Sequence, residues 1–179
     1  HLDAYGKDMD FENLPSNLLI LQQYPMDSKS IACIPPTVTK LGLLDRCNQD
    51  EPWDLTLLPL GLRILEIESE PLPLTSVTGL PSSLTELILS SCEVDDVNTW
   101  IEGLPPNLTK LHVGSVEFAD QEFKTPFPSS LVYLNFPFGS GGKNAHSSLF
   151  RCLPRGLAHL KLVLDDASGQ YEEWDNTGL

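Results

Sequence analysis

Hydrophobic positions in this chain follow a ten-residue pattern that recurs seven times. Each copy begins with an apolar residue and a proline, and apolar residues stand three, six and eight positions after that proline, with Gln23 as the one polar exception. The opening pairs are Leu14-Pro15, Ile34-Pro35, Leu58-Pro59, Leu80-Pro81, Leu104-Pro105, Phe127-Pro128 and Leu153-Pro154. They lie 20 to 26 residues apart, a spacing that predicts units burying their apolar faces by stacking on one another.

The last two apolar positions of each copy are two residues apart, which is the period of a β-strand. Each unit is therefore predicted to contribute one short strand whose alternate side chains point into the core. Because the connections between strands are about 15 residues or longer, the strands can pair in parallel. The connections contain many prolines and polar residues. They predict extended chain, 3-10 turns or poor helices, with one helical turn near Val94–Ile101.

Units such as Leu80–Leu89 and Leu104–Val113 resemble leucine-rich repeats, and their Leu-Pro opening is similar to a subclass found in bacterial effector and protist proteins. The resemblance implies an α/β-type solenoid, a right-handed curved superhelix of about seven repeats. Its parallel sheet would form the concave face, and its convex side would be mostly irregular or 3-10. We expect this leucine-rich-repeat domain to span residues 1–164, followed by an acidic tail or cap over residues 165–179.

One position departs from the family pattern. The asparagine that usually closes the turn after the strand is replaced in every unit. The replacing residues are Met26, Arg46, Glu70, Cys92, Val116, Gly139 and Asp165. Only Cys92 is a usual substitute, so the turn on this side is predicted to be irregular.

Residues between the buried strand positions are predicted to point outward from the sheet, on what we call the strand face. Their columns do not repeat from unit to unit, which favours a recognition surface, although unconstrained drift would look the same. The candidate partner-binding residues are Tyr24, Leu44, Ile64, Glu66, Glu68, Glu86, Ile88, Lys110, His112, Tyr133 and His159. Glu66, Glu68 and Glu86 form a predicted acidic patch. It either receives Lys or Arg from a partner or pairs locally, as Glu86 could with Lys110.

Composition excludes some classes of partner. With a formal net charge of −14, the chain lacks the basic surface typical of nucleic-acid binding. No apolar run approaches the ~20 residues of a membrane span. The expected partner is another protein, and a basic patch on it would complement the acidic charge. Self-association is a further expectation.

The four cysteines, Cys33, Cys47, Cys92 and Cys152, have no Cys-x-x-Cys spacing and do not cluster at the termini. They are therefore predicted to be reduced. Cys33 and Cys152 each stand just before an opening pair, which predicts that both are buried. Reduced cysteines favour a cytoplasmic setting, and an extracellular setting is the alternative.

No arrangement of residues predicts catalysis. His112 and His159 stand in outward columns two repeats apart, and no cysteine occupies such a column, so no nucleophile–base pair is expected. Neither a cofactor nor a metal is expected. A weak site formed by His112 with Glu66 and Glu86 is the one metal alternative.

These features predict a non-catalytic interaction or scaffold module that binds a partner protein through the strand face. The family resemblance implies one alternative, the substrate-recognition domain of a larger enzyme such as an effector ubiquitin ligase. Another is an extracellular receptor-like or adhesion domain.

Two loops interrupt the pattern. In Asp45–Leu57 we expect Trp53 to pack on the convex side, and we expect the glycine-rich Phe138–His146 to be a flexible insertion.

Overall fold

The computed structural model describes residues 2–3, 11–24, 28–44, 54–68, 77–90, 92–94, 96–114, 116–118, 122–138, 143–165 and 171–175. Its strands are β1 (Leu2–Asp3), β2 (Ile20–Tyr24), β3 (Lys40–Leu44), β4 (Ile64–Glu68), β5 (Glu86–Leu89), β6 (Cys92–Val94), β7 (Lys110–Val113), β8 (Val116–Phe118), β9 (Tyr133–Phe138), β10 (His159–Asp165) and β11 (Tyr171–Asp175). Its helices are α1 (Ser28–Ala32), α2 (Val97–Glu102) and α3 (Lys143–Cys152), with 3-10 turns at Phe11–Asn13 and Leu55–Leu57.

Within the described residues, nine strands form one sheet in the order β1-β2-β3-β4-β5-β7-β9-β10-β11. Every neighbouring pair from β1 to β10 is parallel, and only β11 runs antiparallel to its neighbour. The predicted parallel sheet is therefore confirmed. Its last strand comes from the segment predicted to be a tail or cap.

The core lies on one side of this sheet. The residues six positions after each proline pair directly across the strands, as Leu87 does with Leu111. From Leu21 to Leu134 the members of this row are fully buried, and Leu160 is partly buried. The row consists of Leu21, Leu41, Leu65, Leu87, Leu111, Leu134 and Leu160. Such burial is the dominant favourable term in folding, so this row of leucines forms the spine of the core.

The proline of each unit opens a tight turn into its strand. In all seven units the proline carbonyl accepts a hydrogen bond from the N–H three residues later, at 3.0–3.1 Å. The junctions between units also repeat. The carbonyl of Thr39, for example, accepts from the N–H groups of both Arg63 and Ile64, at 2.8 and 3.1 Å. Because the same bonds recur at each step, one local geometry sets the spacing of successive strands.

Hydroxyl side chains add a second set of links between units. Thr37, Ser83 and Ser130 each stand two residues after a proline, and each hydroxyl lies 2.6–2.9 Å from two carbonyl oxygens of the preceding unit. Asn107 holds the same position and donates to the Ser82 carbonyl at 2.8 Å. The polar residues after the prolines therefore form hydrogen bonds to the preceding unit.

Helix α2 overlaps the helical turn predicted near Val94–Ile101. Its N-cap, Asp96, accepts from the Thr99 hydroxyl at 2.6 Å and from the Asn98 N–H at 3.0 Å, which is the usual way to satisfy the free N–H groups of a helix start. These bonds, led by that of Thr99, hold the pKa of Asp96 below its ordinary value. The helix buries Val97, Trp100 and Ile101 against the core.

Helix α3 was not predicted. The glycine-rich segment suggested a flexible insertion over Phe138–His146, but Phe138 ends β9 and residues 143–146 begin the helix. Helix α3 buries Leu149 and the hydroxyl residue Ser148, whose oxygen accepts the Phe123 N–H at 3.0 Å. Nearby glycines concealed this helix, because they precede its first turn and do not interrupt it.

The turn on the far side of the strands is more regular than predicted in two units. Strands β6 and β8 pair in parallel there, with Cys92 opposite Val116. The corresponding positions Met26, Arg46, Glu70 and Gly139 lie outside the described residues.

Cys152 is buried as predicted, and its burial raises the pKa of its thiol. The same prediction for Cys33 is wrong, because the turn that follows α1 leaves this side chain exposed. Neither forms a disulfide. Cys47 and Trp53 lie outside the described residues. None of the helices in the described part of the chain has the length and apolar character that crossing a membrane requires.

Candidate functional site: the strand face

The register of the sheet brings most of the predicted binding residues together. One row, five residues after each proline, runs through directly paired positions across seven strands. It consists of Ile20, Lys40, Ile64, Glu86, Lys110, Tyr133 and His159. The next row consists of Gly42, Glu66, Ile88, His112, Asn135 and Lys161. These two rows alternate with the buried leucine row along each strand, so they lie on the opposite face of the sheet.

Glu68 and Leu44 pair in a third row, as the sequence pattern predicts. Tyr24 does not join them. The register between β2 and β3 shifts after Leu21, and Tyr24 pairs with Leu43 instead of Leu44. The irregularity falls where Gln23 breaks the apolar pattern. Between the paired positions β2 has one residue more than β3, and such an extra residue shifts the pairing of those that follow.

Glu66 belongs to a local network. Its Oε1 lies 3.0 Å from the ammonium of Lys40, and its Oε2 accepts a hydrogen bond from the Gln22 amide at 3.2 Å. Both carboxylate oxygens therefore have partners, one from the adjoining strand β3 and one from β2 beyond it. Sequence reasoning missed Lys40 and Gln22, although each stands in an outward column beside the predicted acidic patch.

Charged residues of both signs stand in the outward columns of the seven repeat strands. Three lysines, Lys40, Lys110 and Lys161, stand in the outward columns with the three glutamates of the predicted acidic patch. Lys110 lies 3.5 Å from Glu86, and this pair is exposed. At the two ends of the sheet, Asp3 pairs with Gln22 and Asp175 pairs with Lys161, so the outermost strands add acidic residues to the outward rows.

An open depression lies at the centre of the strand face, between β5, β7 and β9. Its volume is about 200 Å³. The side chains of Glu86, Ile88, Lys110, His112 and Tyr133 line it. The Tyr133 ring packs against that of His159, with centroids 6.1 Å apart and the planes tilted by 41°. An aliphatic wall, an aromatic wall and two opposite charges therefore meet in one depression.

His112 is held beside a buried amide. The Asn135 amide nitrogen lies 3.2 Å from Nδ1 and 3.5 Å from Nε2 of His112. Asn135 is only 5% exposed, and its Oδ1 has no hydrogen-bond partner among the described residues. Burial, and then the positive charge of Lys161, lower the pKa of His112. An amide N–H donor beside the ring also favours neutral imidazole, which keeps an acceptor nitrogen.

The chemistry available on this face is hydrogen bonding, ion pairing and apolar contact. Within the described residues, no group of three or more His, Cys, Asp or Glu side chains is arranged to hold a metal ion. His112, Glu66 and Glu86 therefore do not form the weak metal site considered from the sequence. Sequence reasoning also left Asn135 out of the candidate site, although it shares a row with His112.

Scans of protein-family models, curated proteins and solved structures each returned no match to this chain.

Proposed function

We propose that this chain is a leucine-rich-repeat module, a short solenoid of stacked units that binds another protein through its strand face. The repeated proline turns and the identical junctions between units support the solenoid. Each unit contacts its neighbours through the same bonds and adds one strand to the sheet, as repeat proteins do. The proposed role is that of an interaction or scaffold module in the cytoplasm.

One observation carries the binding proposal. Residues facing the core repeat from unit to unit, whereas those of the strand face differ at each unit and still lie in register. The lining of the depression there combines Tyr133 and Ile88 with polar side chains, among them Glu86 and His112. Aromatic and aliphatic anchors surrounded by polar groups are typical of binding hot spots.

The charge distribution supports the choice of surface. Like charges on two proteins repel at an interface, and net charge strongly affects association. On the seven repeat strands, three lysines and three glutamates stand in the outward columns. A partner therefore finds both signs of charge around the apolar depression.

A pair of matched substitutions tests the proposal. Ile88→Asp places a carboxylate in the depression, whereas Leu60→Asp places one at a turn residue that is 85% exposed and off the strand face. We expect Ile88→Asp to weaken partner binding by about tenfold or more, since it charges and disrupts a hot spot. Leu60→Asp is expected to leave binding within about twofold of the wild type, because scattered surface contacts contribute little.

The measurement is quantitative capture from an extract of the cells that express the protein, followed by titration of each captured protein. Circular dichroism and thermal unfolding establish that both variants keep the fold. Captured proteins that bind wild type and Ile88→Asp equally would contradict the strand face as the binding surface.

A further inference from the structure

Glu86, which lines the depression, and Glu66, on the adjoining strand β4, differ in how fully their carboxylate oxygens are used. Both oxygens of Glu66 have partners at 3.0 and 3.2 Å. Glu86 has one partner, the Lys110 ammonium at 3.5 Å, and among the described residues its Oε1 has none. Strong charge-assisted bonds are roughly 2.7–2.9 Å long, so the Glu86–Lys110 pair is loose. Glu86 therefore keeps capacity for a second cation.

Lys110 holds its place weakly. Its side chain is 57% exposed, and exposed ion pairs of this kind contribute little to stability. An incoming cation can displace its ammonium from Glu86 into solvent at small cost. Glu66 offers no such opening, because Lys40 from β3 and Gln22 from β2 occupy its two oxygens.

The walls of the depression suit a flat cation. Tyr133 and Ile88 give it an aromatic and an aliphatic side, and His112 lines it in the neutral form that its surroundings favour. A guanidinium is planar, so it stacks on aromatic rings and binds a carboxylate through two parallel N–H donors. An ammonium is not planar and can do neither in this way. The chain's net charge of −14 also draws basic partners towards it.

We infer that the central depression receives an arginine side chain of the partner protein, with its guanidinium on the Glu86 carboxylate and its plane against Tyr133. This inference rests on the proposed function and names the chemistry of its site. Lys110 then acts as an internal competitor for Glu86. An acidic partner group would instead need Lys110 and would be repelled by the rest of the chain.

An arginine bound by Glu86 and an acidic group bound by Lys110 predict opposite effects on binding when Glu86 or Lys110 is neutralised. The probe is a displayed library of twelve-residue peptides, selected on the wild-type protein and then titrated as single synthetic peptides. We expect the selected peptides to share an arginine. Glu86→Gln should weaken their binding about tenfold or more, because a bond to a charged group is lost. Lys110→Met keeps the aliphatic stem and should leave binding unchanged or up to about fivefold tighter.

Two controls make the result specific. Glu122→Gln alters an exposed glutamate of a connecting segment, off the strand face and 4.0 Å from Lys124, and it should change peptide binding by less than about twofold. Replacing the shared arginine of the peptide by lysine should weaken binding to the wild type more than to Glu86→Gln, because the wild type loses the bidentate carboxylate contact as well as the stacking on Tyr133.

Each other outcome overturns the inference. Peptides that share an acidic residue and fail on Lys110→Met would assign the depression to an anionic group. Peptides without a charged consensus that still fail on Ile88→Asp would refute the arginine while leaving the proposed protein-binding function intact. Two further results would count against both the inference and the strand face as the binding surface. One is selected peptides with equal affinity for Ile88→Asp and the wild type, and the other is the absence of any selected peptide.

Discussion

Leu87→Ala is expected to lower the free energy of unfolding by about 2–5 kcal/mol. Leu87 is fully buried in the middle of the leucine row, with Leu65 and Leu111 opposite it on the two adjoining strands. Its truncation removes apolar contacts and leaves a cavity that the neighbouring leucines cannot fill, since each is held by its own strand. Urea unfolding followed by circular dichroism measures the change.

The neighbouring residue on the same strand supplies the control. Ile88 points to the strand face and is only half-buried, so Ile88→Ala should cost at most about 1 kcal/mol, mainly through lost strand preference. The contrast between adjacent residues follows from the alternation of a β-strand. Equal losses at the two positions would contradict the assignment of the leucine row to the core.

Asn98→Ala is expected to lower the free energy of unfolding by about 1–3 kcal/mol. The Asn98 carbonyl oxygen accepts the N–H groups of Lys124 and Thr125 at 2.7 and 3.0 Å, and its amide nitrogen donates to the Glu122 carbonyl at 3.0 Å. One side chain of α2 thus anchors the connecting segment of the next unit. Thermal and urea unfolding of the variant measure the loss.

Asn107→Ala is the matched control for this prediction. Asn107 is also an asparagine that links two units, but among the described residues its side chain makes one hydrogen bond, to the Ser82 carbonyl at 2.8 Å. Its replacement should cost at most about 1 kcal/mol. If Asn107→Ala lowers the free energy of unfolding as much as Asn98→Ala does, the effect does not depend on how many main-chain groups the asparagine side chain binds.

The sheet and most of the strand-face rows could be predicted because the burial pattern fixes them. Once Leu87 and Leu89 must face the core, Glu86 and Ile88 have to face the other way. The equal spacing of the same leucines in each unit then sets which outward residues are neighbours. Lys110 beside Glu86 followed from this logic alone.

Features that depend on local detail could not be predicted in this way. The shift of Tyr24 arises from an irregularity in β2 that the spacing does not encode. The partners of Glu66 depend on side-chain conformations that reach between strands, from Lys40 and Gln22. Helix α3 was missed because the glycines before it dominated the composition of the segment.

The binding of a partner by the strand face is the central claim, and site-specific photo-cross-linking tests it most directly. p-Benzoylphenylalanine is placed at position 133, which lines the depression, and separately at position 150 of α3, where Phe150 is 56% exposed. Irradiation with the captured proteins should give a covalent adduct from position 133 and none from position 150. Adducts from position 150 with none from position 133 would contradict the account.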